Sequence, residues 1–350
     1  MALTLSGLAG WLGLEAAAKE QLLRRQLAHL LTGERPAPPD GSPERAEVLA
    51  AAEKHGVIGL LAHLGEDFER TALAYRAKSI RALRFTVRAC RVLEEAGIVY
   101  AVLKGGVAGS RWKDPTARQQ SDVDLLVRRA DLSRASEAMV TAGLASHEFL
   151  AGEIKHNAGL QPKEAGGLLI EIHHALTSDH AVELDIAELL NRRVRINTAQ
   201  GEIRGLAPED DAAYLAMHAS THALQRLAWL VDLAALDSVG VDWVTAAARA
   251  REGNIAIPVE LAWRETRELL ATPIPEAAFR ELEVGMSQRA RYRALYRLAH
   301  ATQGTPQRVL EIGFRLALVP LPDLPGVFVH KLRARQEVEH AIAADVPRPH

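Results

Sequence analysis

Two aspartates one residue apart, Asp122 and Asp124, stand in the run Asp122-Val123-Asp124-Leu125-Leu126-Val127. Read as a strand, that run points both carboxylates to one face and Val123 and Leu125 to the other, since side chains alternate along a strand. Two carboxylates side by side repel unless a cation sits between them. A hard divalent ion with oxygen ligands is the natural occupant, and Mg²⁺ is the usual one where phosphate is handled. Upstream, the apolar run Val99-Tyr100-Ala101-Val102-Leu103 reads as a buried strand that breaks at Lys104-Gly105-Gly106, a turn that lets backbone N–H groups approach a ligand closely. Downstream, Gly166-Gly167 turns into Leu168-Leu169-Ile170-Glu171-Ile172-His173, a strand with Glu171 and His173 on one face.

A glycine-pair turn after a strand, then Asp-hydrophobic-Asp-hydrophobic on the next strand, resembles the polymerase-β-like nucleotidyltransferase superfamily. More narrowly, Leu103-Lys104-Gly105 with Arg118 ahead of Asp122, Glu171-Ile172-His173, and the later His218, His222 and Asp232 resemble the uncharacterised bacterial nucleotidyltransferase family associated with peptide and natural-product gene clusters. The resemblance runs over roughly residues 45–335. It departs from the broad superfamily in the fifteen residues between Gly106 and Asp122; Gly109-Ser110 has the commoner spacing but falls inside the helix expected next. The resemblance implies an α+β fold, with a small mixed sheet flanked by N- and C-terminal helical regions. It also implies an enzyme that moves a nucleoside monophosphate from an NTP to an acceptor, with Mg²⁺ or Mn²⁺ as cofactor. Such chemistry neutralises phosphate charge and activates a hydroxyl, commonly with two metal ions ~3.5–4 Å apart held by three converging carboxylates. Asp122, Asp124 and Glu171 would be those carboxylates and His173 would orient Glu171. Lys104, Gly105 and Gly106 would hold the triphosphate, and Arg118 would pair bidentately with an anionic oxygen.

The elements that must position these residues follow from the rest of the chain. Its 350 residues give ample length for a sizeable core. Composition is that of an ordinary soluble globular protein, 48% apolar and 25% charged. A net charge of −2 leaves no global basic footprint for nucleic acid. The single Cys90 excludes an internal disulfide and sits among apolar helix residues as packing; a reducing, cytoplasmic setting is the simple expectation. Leu22, Leu23, Leu27, Leu30 and Leu31 form a helical stripe within residues 3–33, and the proline-rich stretch 33–43 reads as a linker. Residues 1–97 are expected to be helical, 98–206 to form the α/β core, and 207–350 to be helical again. No apolar run approaches the ~20 residues of a membrane span.

Between Arg70 and Arg91 the chain carries Arg76, Lys78, Arg81, Arg84 and Arg88 and no acid. A solvated helix face is the ordinary reading; a surface that meets triphosphate or an anionic substrate is the sharper one. A second basic stretch, Arg289 to Arg335, has nine Lys/Arg against two acids. Together they support an alternative in which tRNA is the acceptor. An aromatic content of 5% and the near-neutral chain weigh against it, so a small-molecule or peptide acceptor is expected. The remaining alternative, a non-catalytic nucleotide-binding protein, would have no need of three mutually repelling carboxylates. Other chemistries lack their residues. His218 and His222 lie one turn apart, but Ala219 stands where a zinc peptidase has glutamate; with Asp232 they read as a buried polar network bracing the helical region. His156, His173, His174 and His180 lack the cysteines or regular spacing of a zinc site.

Overall fold

The computed structural model describes residues 14–149, 157–162, 168–177 and 182–301. The Gly166-Gly167 turn, His156, His180, the first residues of the N-terminal helical stretch and most of the second basic stretch lie outside these. In chain order come α1 (Leu14–Thr32), α2 (Pro43–Lys54), a 3₁₀ segment (Ile58–Leu64), the long α3 (Glu66–Glu95), β1 (Tyr100–Leu103), α4 (Gly105–Ser110), β2 (Asp122–Val127), α5 (Leu132–Thr141), β3 (Ala145–Phe149), β4 (Asn157–Pro162) and β5 (Leu169–His173). There follow α6 (Ile186–Asn191), β6 (Val194–Thr198), β7 (Gly201–Gly205), α7 (Pro208–Thr221), α8 (Leu227–Ala234), α9 (Trp243–Glu252), α10 (Ala256–Leu270), α11 (Glu276–Glu281) and α12 (Met286–Ala301). The architecture is the expected α+β one: a mixed sheet with helical regions before and after it.

Local sequence explains the boundaries that matter. The proline-rich stretch separates α1 from α2, and Ser42 caps α2 by accepting from the Arg45 N–H ahead of Pro43 in the first turn. Glu66, Asp67 and Glu69 place negative charge on the first turn of α3, where the helix dipole favours it. Pro208 opens α7, followed by Glu209, Asp210 and Asp211.

The seven strands run in the order β3-β4-β5-β2-β1-β7-β6. β2 pairs antiparallel with β1 and parallel with β5, so the strand bearing the two aspartates lies between the strand that feeds the glycine turn and the strand bearing Glu171. Alternation gives the sheet two different faces. Val102, Val123, Leu125, Val127, Ile170 and Ile172 pack with Val87, Cys90 and Leu93 of α3 and Met139 of α5. Ala101, Leu103 and Leu126 join the other, larger core, which also takes Leu27 of α1, Val48 of α2 and residues of α7 to α12. The helices on either side of the sheet in sequence thus share one apolar interior. Among the described residues no helix is long and apolar enough to cross a membrane. Burial pushes the Cys90 thiol up to about 12, which fits a packing role.

Candidate active site

The parallel register of β2 and β5 sets Asp124 directly beside Glu171, and Leu126 beside His173. Asp122, Asp124, Glu171 and His173 therefore lie on one face, opposite the α3 side. Asp124 is 2% exposed, a position no unpaired carboxylate tolerates. It is paired twice: its Oδ1 accepts from Lys104 Nζ at 3.0 Å and from His173 Nε2 at 3.0 Å. His173 Nε2 also lies 3.4 Å from Glu171 Oε2, so the imidazole bridges the two strands' carboxylates.

Charge states follow from these contacts. Burial works against the Asp124 anion, but Lys104 and the His173 hydrogen bond outweigh it and hold its pKa well below the ordinary carboxylate value. Glu171 is also lowered, chiefly by its bond to His173, against burial. Asp122 goes the other way: burial first, then the Asp124 charge, raise it despite Lys104. Burial opposes the His173 cation, yet the bonds to Asp124 and Glu171 raise its pKa. For Lys104 burial is likewise the largest influence and is overcome by Asp124, which keeps the ammonium firmly protonated.

Lys104 reaches Asp124 from an unusual backbone. It has φ 52° and ψ −139°, between the end of β1 and the start of α4. For a residue with a Cβ this conformation stores strain of order 1–3 kcal/mol. Gly105 follows with φ 37°, and a Cβ there would come within 2.8 Å of Gln120 Nε2. Gln120 donates to Thr86 Oγ1 on α3 and to the carbonyl of Asp122, so the tight turn is pressed against the amide that pins the start of β2. Gly109-Ser110 lies inside α4, as expected.

The structure places Arg118 differently from its neighbours. Its guanidinium grips Asp232 of α8 bidentately, Nε to Oδ1 at 2.8 Å and Nη2 to Oδ2 at 2.8 Å, and the indole of Trp112 donates to the same carboxylate at 2.9 Å. Asp232 is thus the buried brace that its sequence context suggested, tying the segment before β2 to α8. His218 and His222 stack with each other (centroids 4.8 Å apart) and with Trp229 (5.4 Å from each), and Tyr214 lies 6.1 Å from His218. Burial, then Lys104 and His222, hold His218 well below the ordinary imidazole value, so it is neutral. Burial raises the Tyr214 phenol, and Lys104, Asp124 and Glu171 of the site are among the charges that act on it. Sequence reasoning singled out the two histidines but not Tyr214; the i, i+4, i+8 spacing of Tyr214 and His218 on α7 and His222 at its C-terminal cap was the available signal.

The donor set can be tested against a divalent cation. One atom each from Asp124, Glu171 and His173 lie within 4.8 Å of one another, two carboxylate oxygens and an imidazole nitrogen. That is a convergent and chemically suitable set, in which His173 offers a ring nitrogen of its own beside the two carboxylates. Asp122 is not in this group of three and is more exposed than Asp124.

An acidic centre fit for a divalent cation, between a glycine turn and a helical ring cluster on a mixed sheet, is the class of site this fold builds. Residues 43–271 match the model of the uncharacterised nucleotidyltransferase family, and the chain belongs to that family. Among solved structures, the crystal structure of an antigenic nucleotidyltransferase-like protein from Paracoccidioides brasiliensis is similar at 16% identity, with a TM-score of 0.36, over 57% of this chain and 92% of that one. A likeness of that size carries no argument about the site. No curated protein matches the chain.

Proposed function

We propose that the protein transfers a nucleoside monophosphate from an NTP to an acceptor hydroxyl and releases pyrophosphate. The observation that carries this reading is the convergence of Asp124, Glu171 and His173 on one face of two adjacent strands. Asp124, Glu171 and His173 would hold a divalent metal, Mg²⁺ or Mn²⁺, with Asp122 adding negative charge beside them. When bound, such an ion screens phosphate charge and polarises the phosphoryl oxygens. His173 must be neutral to ligate, so a bound metal would displace the ring proton that the two carboxylates favour.

The remaining roles belong to the chain itself. Lys104 Nζ would exchange its Asp124 partner for a phosphate oxygen of the incoming nucleotide. The N–H groups of Gly105 and Gly106 open α4, where a helix leaves donors without an intrahelical partner. As the acceptor oxygen bonds to the α-phosphorus, the bond to pyrophosphate breaks, and the hydroxyl proton passes to Asp122, the carboxylate whose proton affinity is raised. Arg118 would act through Asp232 as a brace rather than on a phosphate. His222 and Trp229, half-buried beside the carboxylates, would offer the base a stacking wall.

The test is to incubate the protein with Mg²⁺, candidate acceptors and each NTP labelled at the α-phosphate. Label transferred to acceptor with pyrophosphate release, and lost in Asp124→Asn and Glu171→Gln, is expected. Full activity in both variants would remove the carboxylates from the chemistry and sink the reading.

A further inference from the structure

One cavity lies off the catalytic face. It is a groove of about 710 Å³ along α3, and its rim includes Gln119, Gln120 and Ser121, the residues that lead into Asp122. Lys78, Arg81, Arg84 and Arg88 project into it from α3, and Arg226 approaches from the loop between α7 and α8. No acidic residue borders it. The catalytic carboxylates face the α7 side of the sheet, while the rim of the groove reaches Ser121, the residue before Asp122.

Three features point to what it takes. First, these five cations are unpaired with acids among the described residues, whereas Arg76, also on α3, is taken up by Asp114. Second, the stripe is long. From Lys78 to Arg88 is ten residues of helix, about 15 Å at ~1.5 Å per residue. At roughly 3.4 Å per phosphate along a stacked strand, that length accommodates about four phosphates. Third, the groove holds groups that a bare polyphosphate would not use: the side chain of Phe85, the Tyr75 ring with the Lys78 ammonium 5.2 Å from its centroid, and the Gln119 Nε2 donor, buried with no acceptor. Cations in a row with aromatic rings beside them are the usual recognition set for single-stranded nucleic acid.

We infer that this groove is the acceptor site, and that the acceptor is a single-stranded phosphodiester chain whose terminal hydroxyl is delivered to Asp122. This rests on the nucleotidyl-transfer reading for the chemistry: the hydroxyl oxygen bonds to the α-phosphorus of the NTP, pyrophosphate departs with the electron pair, and the proton goes to Asp122. The near-neutral whole chain does not contradict it, because the acids that balance the count lie elsewhere and leave the groove positive. Lys78 belongs to this stripe, although its helical phase alone sets it apart from Arg81 and Arg88. Arg76 does not, being paired with Asp114.

The experiment measures binding of a fluorescein-labelled single-stranded RNA decamer to the full chain, without NTP, by anisotropy across a salt series. Five phosphate contacts predict affinity falling about a hundredfold between about 50 and 200 mM salt. Arg81→Ala/Arg88→Ala, two exposed substitutions on a long helix, should weaken binding at least tenfold and lower the salt slope by about 1.4. Arg81→Lys/Arg88→Lys should keep most of the binding, and NTP affinity measured by calorimetry should be unchanged in both. Three results overturn the inference: no decamer binding at low salt, equal binding by the double alanine variant, or tripolyphosphate competing as well as the decamer. Strand binding is read without turnover, so a protein that moves no label fails the transfer reading while leaving this test intact.

Discussion

At the scale of single residues, the paired aspartates are not equivalent. Sequence pattern puts them on one face and predicts mutual repulsion, and both statements hold in the structure. What spacing cannot show is that Asp124 is buried under Lys104 and His173 while Asp122 sits at the strand's open end. Removing the two charges should therefore have opposite effects on stability. Asp124→Asn leaves the Lys104 ammonium, 15% exposed, without its counter-charge, and breaking such a pair costs about 3–5 kcal/mol. Asp122→Asn relieves repulsion and burial of a charge, so denaturant unfolding in chelator should show it equal to or slightly more stable than wild type. Equal destabilisation by both would refute the assignment of Lys104 to Asp124. Lys104 offers a separate test because its backbone is strained. Lys104→Gly and Lys104→Ala lose the same ammonium, but only glycine is at ease at φ 52°. The glycine variant should be the more stable of the two by about 1 kcal/mol. An alanine variant as stable as the glycine one would mean the turn relaxes at no cost.

At the scale of elements, the strand–turn–strand unit and the Glu-x-His strand were legible because a strand's period of two and a glycine turn are local signals. The parallel pairing that sets Asp124 beside Glu171 is not local. It depends on β3 and β4 closing the sheet around β5, and no residue in the sequence announces that register. The same holds for Arg118. Its place ahead of Asp122 suits an anion-binding role, yet the partner that fixes it lies on α8, 114 residues away. Two predictions separate a brace from a phosphate ligand. Asp232→Ala strands the Arg118 guanidinium and the Trp112 indole in a buried site, with an expected loss of about 3–5 kcal/mol in chemical unfolding. Arg118→Met in turn leaves Asp232 with the Trp112 indole alone and should lower stability while NTP affinity per folded molecule stays near wild type. A stable Arg118→Met protein with tenfold weaker nucleotide binding would restore Arg118 to the triphosphate.

At the scale of the whole molecule, residues 1–97 and 207–350 read from sequence as separate helical regions, because a linker and an α/β segment stand between them. In space they meet. His55, just after α2, is 1% exposed and joins three elements: Leu227 N at the start of α8 donates to its Nδ1, its carbonyl accepts from Ala228, and its Nε2 lies 3.0 Å from Glu20 Oε1 on α1. With Nδ1 accepting, the ring proton is on Nε2, which faces Glu20 at ion-pair distance without an aligned hydrogen bond. That contact with His55 is the largest influence on Glu20, and with Lys54 it overcomes burial and lowers the carboxyl to about 2. A carboxylate with a depressed folded pKa contributes stability that is fully present above its unfolded value and is lost as pH falls through the folded one. For Glu20 that window runs from its ordinary 4.5 down to about 2. Other acids titrate over the same range, so the informative quantity is the difference in melting temperature between wild type and Glu20→Gln. It should be constant near neutral pH, shrink steadily below about pH 4.5, and approach zero near pH 2. A gap that persists unchanged into that acid range would mean Glu20 contributes by packing alone, and that the junction between the two helical regions does not depend on its charge.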